Sequence, residues 1–395
     1  MLESIFIGMS GLLGYSKGLR VIANNTANLN TPGFKGSALQ FADLYQSSSG
    51  SLGGSAEGGP GHVTGHGLTT TRTTLDFRAG ELRQTGNELD LAIDGQGLFV
   101  VRGGDGRTRY TRDGQFQFDA RGLLVSRTDG AEVLGLGASG LAPVSLAGLR
   151  TNAAKGTETL RFTGNLSSTA AEQTVQGVGI VDASGGAHAL SIVLRNEGQT
   201  AAGTWAVTVR DGETVVGEGT IGFVDGRPIA EQSKVTVTYK PAGQKEQPLV
   251  LDFSGEVTSF AAGDLSTLAL AEHDGHAAGA LAKVAFDASG QLVLTYSNGE
   301  TAKGATLALA RFDSIDAVGA AGDNRFEALD ESAWHTGTAG DAYGAVRSGA
   351  VEISNVDLSK EFADLVVMQR GYQASSQIVA TANEMLQELY GMRKG

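Results

Sequence analysis

The sequence predicts a mainly β protein that begins and ends with an α-helix, with nested, discontinuous β domains between the two helices. Three observations predict this fold class. Eight Asp-Gly or Asn-Gly pairs, which favour hairpin turns, all lie between residues 90 and 300. Short runs between these pairs alternate apolar and polar residues, as in residues 234–239. The two ends of the chain instead repeat apolar residues at spacings of three and four, which is the period of a helix.

The composition excludes several classes of function. The net charge of −13 would repel phosphate backbones and anionic membrane surfaces, so we expect no nucleic-acid partner. The absence of Cys rules out disulfides, thiolate metal sites and a cysteine nucleophile. The longest apolar runs are far shorter than the roughly 18–20 residues of a membrane span, so no membrane insertion is expected. Glu3 and the lack of an early basic cluster argue against a cleaved secretion signal.

The first helix is predicted over residues 2–26, where apolar and small residues share one seam. Pro32 and Gly33 stop it. Four asparagines lie near its end: Asn24, Asn25, Asn28 and Asn30. Either these residues cap a helix that frays into a loop, or their amides make contacts that fix the register between neighbouring subunits.

The last helix is predicted from Leu358 almost to the final residue, with Asp357 or Ser359 as its cap. Small and polar residues interrupt the seam of each terminal helix, and a monomeric core would leave such a seam poorly filled. We therefore expect both helices to pack with other helices in a coiled-coil-like axial core. The side chains predicted to take part in this assembly are Leu12, Leu19, Asn24, Asn25, Asn28, Leu358, Phe362, Leu365, Gln369, Arg370, Tyr372, Val379 and Leu386.

The domain organisation is predicted from changes in composition. In residues 47–74, 19 of 28 residues are Gly, Ser or Thr, which predicts a flexible connector over 36–75. A shared pattern, Phe-Asp-Ala-x-Gly-x-Leu-Val, at 118–125 and 286–293 indicates two similar hairpins, either by chance or in one discontinuous domain. The predicted parts are a helical axial core (1–35 and 355–395), the connector, an inner β domain (76–145 and 281–354) and an inserted outer β domain (146–280).

Motifs for catalysis or metal binding are weak. Two pairs of histidines are close enough in sequence to share a metal: His62 with His66, and His273 with His276. Neither pair has the further ligands that a zinc site needs. The GxSxG, Walker and complete GxGxxG patterns are absent, and Asp residues such as Asp211 and Asp225 precede Gly as turn formers. We expect no enzyme activity, no cofactor and no metal.

Several motifs resemble those of the bacterial flagellar rod and hook proteins, the axial family of the flagellum. Residues 23–35 resemble the N-terminal signature of that family. Residues 89–99 and 110–114 continue the resemblance, and residues 354–359 and 369–374 close it. The motif residues at the two ends are Thr31, Pro32, Gly33, Phe34, Lys35, Asn355, Val356, Asp357 and Leu358.

The resemblance implies a structural subunit with no cofactor. Terminal helices in this family form an inner tube around an export channel, and β domains stack outside it. The long insert, with hook-like residues 160–166, favours a hook subunit, which polymerises into a curved, flexible tube that transmits torque from rod to filament. The implied partners are other copies of the chain, the distal rod protein, the hook cap, the hook–filament junction protein, the hook-length control protein and the flagellar type III export apparatus. The implied location is extracellular, in the hook and basal body, after export without a cleaved signal peptide.

Two alternatives to a hook subunit remain at the level of sequence. The nearer one is the distal rod protein, a straight and rigid polymer of the same family, against which the length of the insert argues. The remote one is a secreted glycan-binding β protein or enzyme, in which Trp205 and Trp334 would line a binding groove.

Overall fold

The computed structural model describes residues 2–47, 63–138, 140–198, 203–241 and 244–392. Helix α1 (Leu2–Ala27) opens the chain and helix α2 (Leu358–Met392) closes it, with strands between them. The predicted fold class is confirmed. Neither helix holds an apolar stretch long enough to cross a lipid bilayer, as judged over these described residues.

The strands alternate with short turns along the chain. The first ten are β1 (Ser37–Ser47), β2 (Val63–Leu75), β3 (Leu82–Gln84), β4 (Leu91–Asp94), β5 (Leu98–Arg102), β6 (Thr108–Thr111), β7 (Phe116–Phe118), β8 (Leu124–Ser126), β9 (Glu132–Gly137) and β10 (Gly140–Pro143). The next ten are β11 (Thr151–Asn152), β12 (Thr159–Asn165), β13 (Glu172–Val181), β14 (Ala187–Asn196), β15 (Thr204–Asp211), β16 (Thr214–Val224), β17 (Arg227–Pro228), β18 (Lys234–Tyr239), β19 (Gln247–Thr258) and β20 (Ala269–His273). The last nine are β21 (Gly279–Phe286), β22 (Gln291–Tyr296), β23 (Thr301–Thr306), β24 (Leu309–Phe312), β25 (Val318–Gly322), β26 (Arg325–Ala328), β27 (Trp334–Gly337), β28 (Ala345–Ser348) and β29 (Ala350–Glu352).

The chain divides into two compact units. The first unit comprises Met1–Ala147, Val284–Val293 and Lys303–Gly395, and the second comprises Gly148–Lys283 and Leu294–Ala302. The segment Gly148–Lys283 of the second unit has both ends within three residues of the ends of the insert predicted over 146–280. The short segment Leu294–Ala302 was not predicted. Helices and inner strands, which the sequence analysis separated, belong to the same first unit.

The first unit contains the two helices and most of the small sheets. Its ten-stranded sheet runs β25-β26-β6-β5-β9-β8-β7, with β10 on β9, and β24 between β5 and β27. Strand β28 pairs with β4 and strand β29 pairs with β3. Buried apolar side chains of β5, β9 and β24 form the core of this sheet. Strands β11-β21-β22-β23 form a further four-stranded sheet.

The second unit is built from two sheets around one apolar core. Strands β13-β14-β15-β16-β17 form an antiparallel meander, and β18-β19-β12-β20 form a mixed sheet in which β12 runs parallel to β19. Alternating side chains from both sheets meet in the core, where the rings of Phe162 and Phe253 stack with their centroids 4.7 Å apart.

The predicted connector over 36–75 is not structureless where the structure describes it. Strand β1 pairs antiparallel with β2, from Ser37 opposite Leu75 to Ser47 opposite Val63. Threonine-rich β2 suits a strand because β-branched side chains pack well on a pleated surface. This strand pair packs on helix α1, where the side chains of Leu68 and Phe41 lie against Gly14. Residues 48–62 lie outside the described residues.

The two sequence repeats form the same hairpin in the first unit. In the first, Asp119 N donates to Leu123 O at 2.9 Å, and in the second, Asp287 N donates to Gln291 O at 3.0 Å. The Gly of each turn has a positive φ, which is accessible to glycine at little cost. The prediction of one hairpin used twice is confirmed.

Candidate assembly surface

The signature segment 31–35 leads from α1 into β1 and ends in a buried ionic cluster. The side chain of Lys35 is 1% exposed, and its Nζ donates to Glu352 Oε1 and to Arg78 O, each at 2.7 Å. The other carboxylate oxygen, Oε2, accepts a 3.0 Å bond from Arg112 Nη1. Gly80 N also donates to Glu352 Oε1 at 2.7 Å. One buried carboxylate therefore compensates two buried cations.

Burial dominates the electrostatics of this cluster. It lowers the pKa of Lys35, and the neighbouring carboxylate of Glu352 opposes that shift. Burial likewise lowers the pKa of the Arg112 guanidinium, again against Glu352. Because Glu352 is the shared counter-ion, loss of its charge would leave two buried cations without compensation.

The glycine of the signature segment is required by its backbone and its surroundings. Gly33 has φ +69°, and a Cβ there would lie 2.3 Å from Asp113 N. Its own N–H donates to Glu352 O at 2.8 Å. The preceding carbonyl, of Pro32, accepts a 3.2 Å bond from Asn324 Nδ2. The segment is thus held to three parts of the first unit that are distant in sequence.

Asn25 joins α1 to β1 and α2. Its Nδ2 donates to Ser37 O at 2.8 Å and to Glu361 Oε1 at 3.0 Å, and its Oδ1 accepts from Ser37 N at 3.0 Å. The residue is 2% exposed. Desolvation raises the pKa of Glu361 beside it. The amide of Asn25 is therefore fully used inside its own chain, which favours neither of the two readings weighed for the asparagines.

The other asparagines make local bonds at the helix end. Asn28 Nδ2 donates to Asn24 O at 2.9 Å, and Asn28 Oδ1 accepts from Thr31 Oγ1 at 3.0 Å. Asn24 is exposed and Asn28 is half-buried. These contacts cap the end of α1, as the simpler reading of the sequence expected.

The second motif, 355–358, starts α2. Asn355 Oδ1 accepts from Gly36 N at 2.9 Å, and its Nδ2 donates to Asp76 O at 2.8 Å. Val356 packs beside Gly36. Asp357 is the cap, because its Oδ1 accepts from Ser359 N at 2.8 Å. Leu358, the first helical residue, is exposed.

Glycines allow α1 and α2 to pack closely. A Cβ at Gly8 would lie 2.7 Å from Val379 Cγ2, and one at Gly11 would lie 2.5 Å from Ser375 Oγ. Further along, Gly18 faces Met368 in the same way, at 2.9 Å from its Sδ. The backbones of α1 and α2 therefore come close together at the glycines of α1.

The predicted helical seams share only part of the observed contact, where Val379 faces Gly8. Five of the predicted assembly residues are half-buried beside it: Leu12, Leu19, Leu365, Val379 and Leu386. Five others are exposed: Leu358, Phe362, Gln369, Arg370 and Tyr372. The contact itself uses glycines, whose importance a search for apolar spacing could not detect.

Both helices expose large apolar side chains. On α1, Phe6, Met9 and Leu13 share one face and are 56%, 51% and 63% exposed. On α2 the exposed apolar residues surround much of the helix: Leu358, Phe362, Val366, Val367, Tyr372, Ile378, Met385, Leu389, Tyr390 and Met392. A helix that is apolar on most sides is normally covered on most sides. We call these exposed residues of α1 and α2 the axial surface.

The candidates for other chemistry have structural roles. Asp225 has φ 51° and forms a turn, and Asp211 accepts a 2.9 Å bond from Tyr239 OH. Across the described residues, no cluster of three or more His, Asp or Glu could hold a metal ion. His62 lies outside the described residues, as does the side chain of His66. His276, whose Nδ1 lies 3.2 Å from Ala277 O, forms an isolated β-bridge with Lys155.

Both tryptophan rings are buried. Trp205 is 1% exposed, in the core of the second unit. Trp334 stacks on Tyr110 with ring centroids 3.9 Å apart, and its Nε1 donates to Ala317 O at 3.0 Å. The remote alternative of a glycan-binding groove lined by these rings therefore has no support, because each ring fills a core.

Terminal helices with uncovered apolar faces, at the two ends of a β-rich chain, define the class of a self-assembling structural protein. Comparisons with known proteins agree. Three family models match: "Flagella basal body rod protein" over residues 5–35, "Flagellar hook protein FlgE/F/G D1 domain" over 92–183, and "Flagellar basal body rod FlgEFG protein C-terminal" over 347–392.

Curated relatives match along the whole chain. The flagellar hook protein FlgE of Brucella abortus is 30% identical, and that of Escherichia coli K12 is 28% identical, each over 98% of both chains. The crystal structure of FlgE2, a hook protein of Helicobacter pylori, matches 68% of this chain and 100% of its own with a TM-score of 0.52 at 13% identity. The chain belongs to the FlgE family of flagellar hook proteins. It is a structural subunit of the flagellar hook, and self-polymerisation is the property of that family.

Proposed function

We propose that this chain builds the hook through its axial surface, with α1 and α2 of many copies packed into the inner tube. The observation that carries the proposal is the exposure of large apolar side chains along both helices. Burying an exposed Phe, Leu or Val side chain contributes about 1.5–3 kcal/mol, and α2 alone offers several such residues. Their burial between copies would outweigh the entropy lost on association.

Under this proposal the predicted assembly residues act either between copies or within one chain. Phe362 and Tyr372 supply apolar contacts between copies, and Gln369 and Arg370 supply polar contacts that fix the register. The half-buried residues, Leu12, Leu19, Leu365, Val379 and Leu386, support the helix pair from its flank. Asn25 holds α1 at a fixed angle to β1 and α2, so its effect on assembly is indirect.

The second unit suits the outer layer of a tube that bends. Gly makes up 58 of 395 residues and charged residues only 18% of the chain. Surfaces of small residues lack the buried aromatic anchors that dominate tight interfaces, so neighbouring copies could slide past each other as the tube turns. Torque would pass through the axial helices, and bending would occur in the outer layer.

Further partners follow from position in such a tube. The ends of the polymer would meet the distal rod protein, the hook cap and the hook–filament junction protein, and the hook-length control protein would act during growth. Export would use the flagellar type III apparatus without a cleaved signal peptide. The chain would have no enzymatic activity.

Deletion of this gene alone, followed by electron microscopy of isolated basal bodies, tests the proposal. We expect a complete rod that ends without a hook. A rod that stops short would assign the chain to the distal rod instead. Normal hooks, in a strain with no second hook gene, would contradict the proposal.

A further inference from the structure

A cleft of about 790 Å³ lies in the first unit, between the end of α1, strand β2 and the hairpin β25–β26. Val318 and Phe326 are buried in its wall, while Leu329 at its rim is 64% exposed. The exposed pair Arg72 and Asp316, whose Nη2 and Oδ1 are 2.5 Å apart, lies at the same rim. The cleft therefore combines an apolar wall with a charged edge.

Asn24 and Asn28 line the cleft from the side of α1. Asn24 follows Leu13 by eleven residues, close to three full turns, so it shares one face of α1 with Phe6, Met9 and Leu13. Asn28 continues this line one residue beyond the end of the helix. That face is apolar in its first half and carries amides where it borders the cleft. Each of the three side chains in the apolar half stays more than half exposed in the part of the chain that the structure describes.

We propose that the cleft receives the apolar face of α1, Phe6, Met9 and Leu13, from a second copy of this chain. This inference rests on the proposed function, because it names the partner of part of the axial surface. The partner's face would lie on the wall formed by Val318 and Phe326. Leu329 would close over it from the rim.

The position of the two surfaces along α1 supports a contact between different patches. Met9 and Asn24 are 15 residues apart, or about 22 Å at 1.5 Å per residue. A second copy shifted by that distance along the helix, and sideways by the ~8–10 Å of packed helices, brings its apolar face level with the cleft. A contact between unlike patches can repeat along an open polymer, whereas a symmetric dimer contact closes on itself.

Cysteine cross-linking tests this contact, because the natural chain contains no Cys. Cells would express two full-length variants together, Leu13→Cys and Leu329→Cys, and their hooks would be isolated and oxidised. Only a contact between two copies can join these variants, since each chain holds a single Cys. The expected result is a disulfide-linked dimer on a non-reducing gel. The matched control pairs Leu13→Cys with Leu265→Cys, which is 78% exposed in the second unit, and should give no dimer.

The outcomes separate this inference from the proposed function. Hooks that form but yield no dimer between Leu13→Cys and Leu329→Cys overturn the inference and leave the hook role intact. A dimer in hooks made of Leu13→Cys alone would show that two apolar faces meet each other, which also overturns it. Unaltered chains that form no polymer would contradict the proposed function itself.

Discussion

Glu352 is the single anion between Lys35 and Arg112, and its side chain is 1% exposed. An ion pair at such a depth contributes little net stability compared with apolar packing, but breaking it exposes the desolvation cost of the remaining charges. The cluster joins the segment after α1 to the strand before α2. Its integrity therefore governs how the two ends of the chain meet.

Replacing this carboxylate tests that role. Glu352→Gln should lower the free energy of unfolding by about 3–5 kcal/mol, since two buried cations lose their counter-ion. The matched change Asp316→Asn, in the exposed pair with Arg72, should cost about 1 kcal/mol or less. Urea unfolding of both variants measures the difference, and equal losses would contradict a special role for the buried cluster.

Gly33 provides a second test at this scale. Gly33→Ala should destabilise the chain by more than the about 1–2 kcal/mol of a left-handed alanine, because its Cβ would also collide with Asp113 N. Gly86 has a similar φ of +75° with open space around it, so Gly86→Ala isolates the backbone cost. Thermal unfolding of the two variants compares them. A smaller effect at Gly33 would show that the neighbouring loop yields easily.

The sequence marked the signature residues without revealing what they do. Lys35 and Glu352 are 317 residues apart, and a single sequence contains no signal that pairs them. The sequence analysis named Asn25 as a residue of the assembly surface, but its bonds to Ser37 and Glu361 depend on the docking of three elements. Side-chain partners across such distances follow from the tertiary fold and not from local spacing.

The helix pair depends on close approach at α1 glycines. Gly11→Ala should weaken the docking of α1 on α2, because the new Cβ would lie 2.5 Å from Ser375 Oγ. Adding Ser375→Ala removes that oxygen, so the double variant should recover most of the loss. Hydrogen exchange of α1 amides in the unassembled chain measures docking. Equal exchange in the single and double variants would contradict this account of the contact.

Helices and strands with a regular repeat of apolar residues could be predicted from the sequence. Elements whose packing depends on another element could not. The helices and hairpins follow from spacings and Asp-Gly turns that lie within a few residues. Strand β2 was missed because its Gly- and Thr-rich sequence shows no alternation of apolar residues. Strand β1 was missed because it pairs with β2 and packs on α1, contacts that its own sequence does not reveal. The contact between α1 and α2 within one chain escaped prediction for a related reason, since glycines of α1 form much of it.

Asp182 lies in the turn between β13 and β14 and makes the stability of the second unit depend on acid pH. His188 Nε2 and the Ser184 hydroxyl, 2.9 and 2.7 Å from the carboxylate of Asp182, hold the pKa of Asp182 well below its usual range. An acid with a lowered folded pKa contributes stability above its unfolded pKa of about 3.9 and loses that contribution as the pH falls through the folded value.

Asp182→Asn should therefore be less stable than the natural chain near pH 7, with a difference that shrinks as the pH falls below about 4. Urea midpoints measured from pH 7 to pH 3 give the comparison. Asp264→Asn, at an exposed position in the same unit, serves as the control and should follow the natural chain at every pH. A difference that grows toward acid pH would contradict the assignment.

At the scale of the whole molecule, stability and assembly are separated along the chain. The cores of the two units and the buried ionic cluster hold the subunit together, whereas the axial surface contributes little to the isolated chain. Membership of the hook family explains why so much apolar surface remains on the helices. Within the described part of one subunit, this apolar surface stays exposed.

This separation predicts variants that fold but do not polymerise. Val367→Ser on α2 changes a side chain that is 62% exposed, so the free energy of unfolding should stay within about 0.5 kcal/mol of the natural value. In the polymer the same change removes a buried apolar contact from every copy, and hooks should become short or absent. The control Gln373→Ser alters an exposed polar residue of the same helix and should leave hooks normal. Urea unfolding, electron microscopy and swimming assays measure the three effects. Normal hooks with Val367→Ser would place this face of α2 outside the contacts between copies, and a large loss of stability would mean that Val367 belongs to the core.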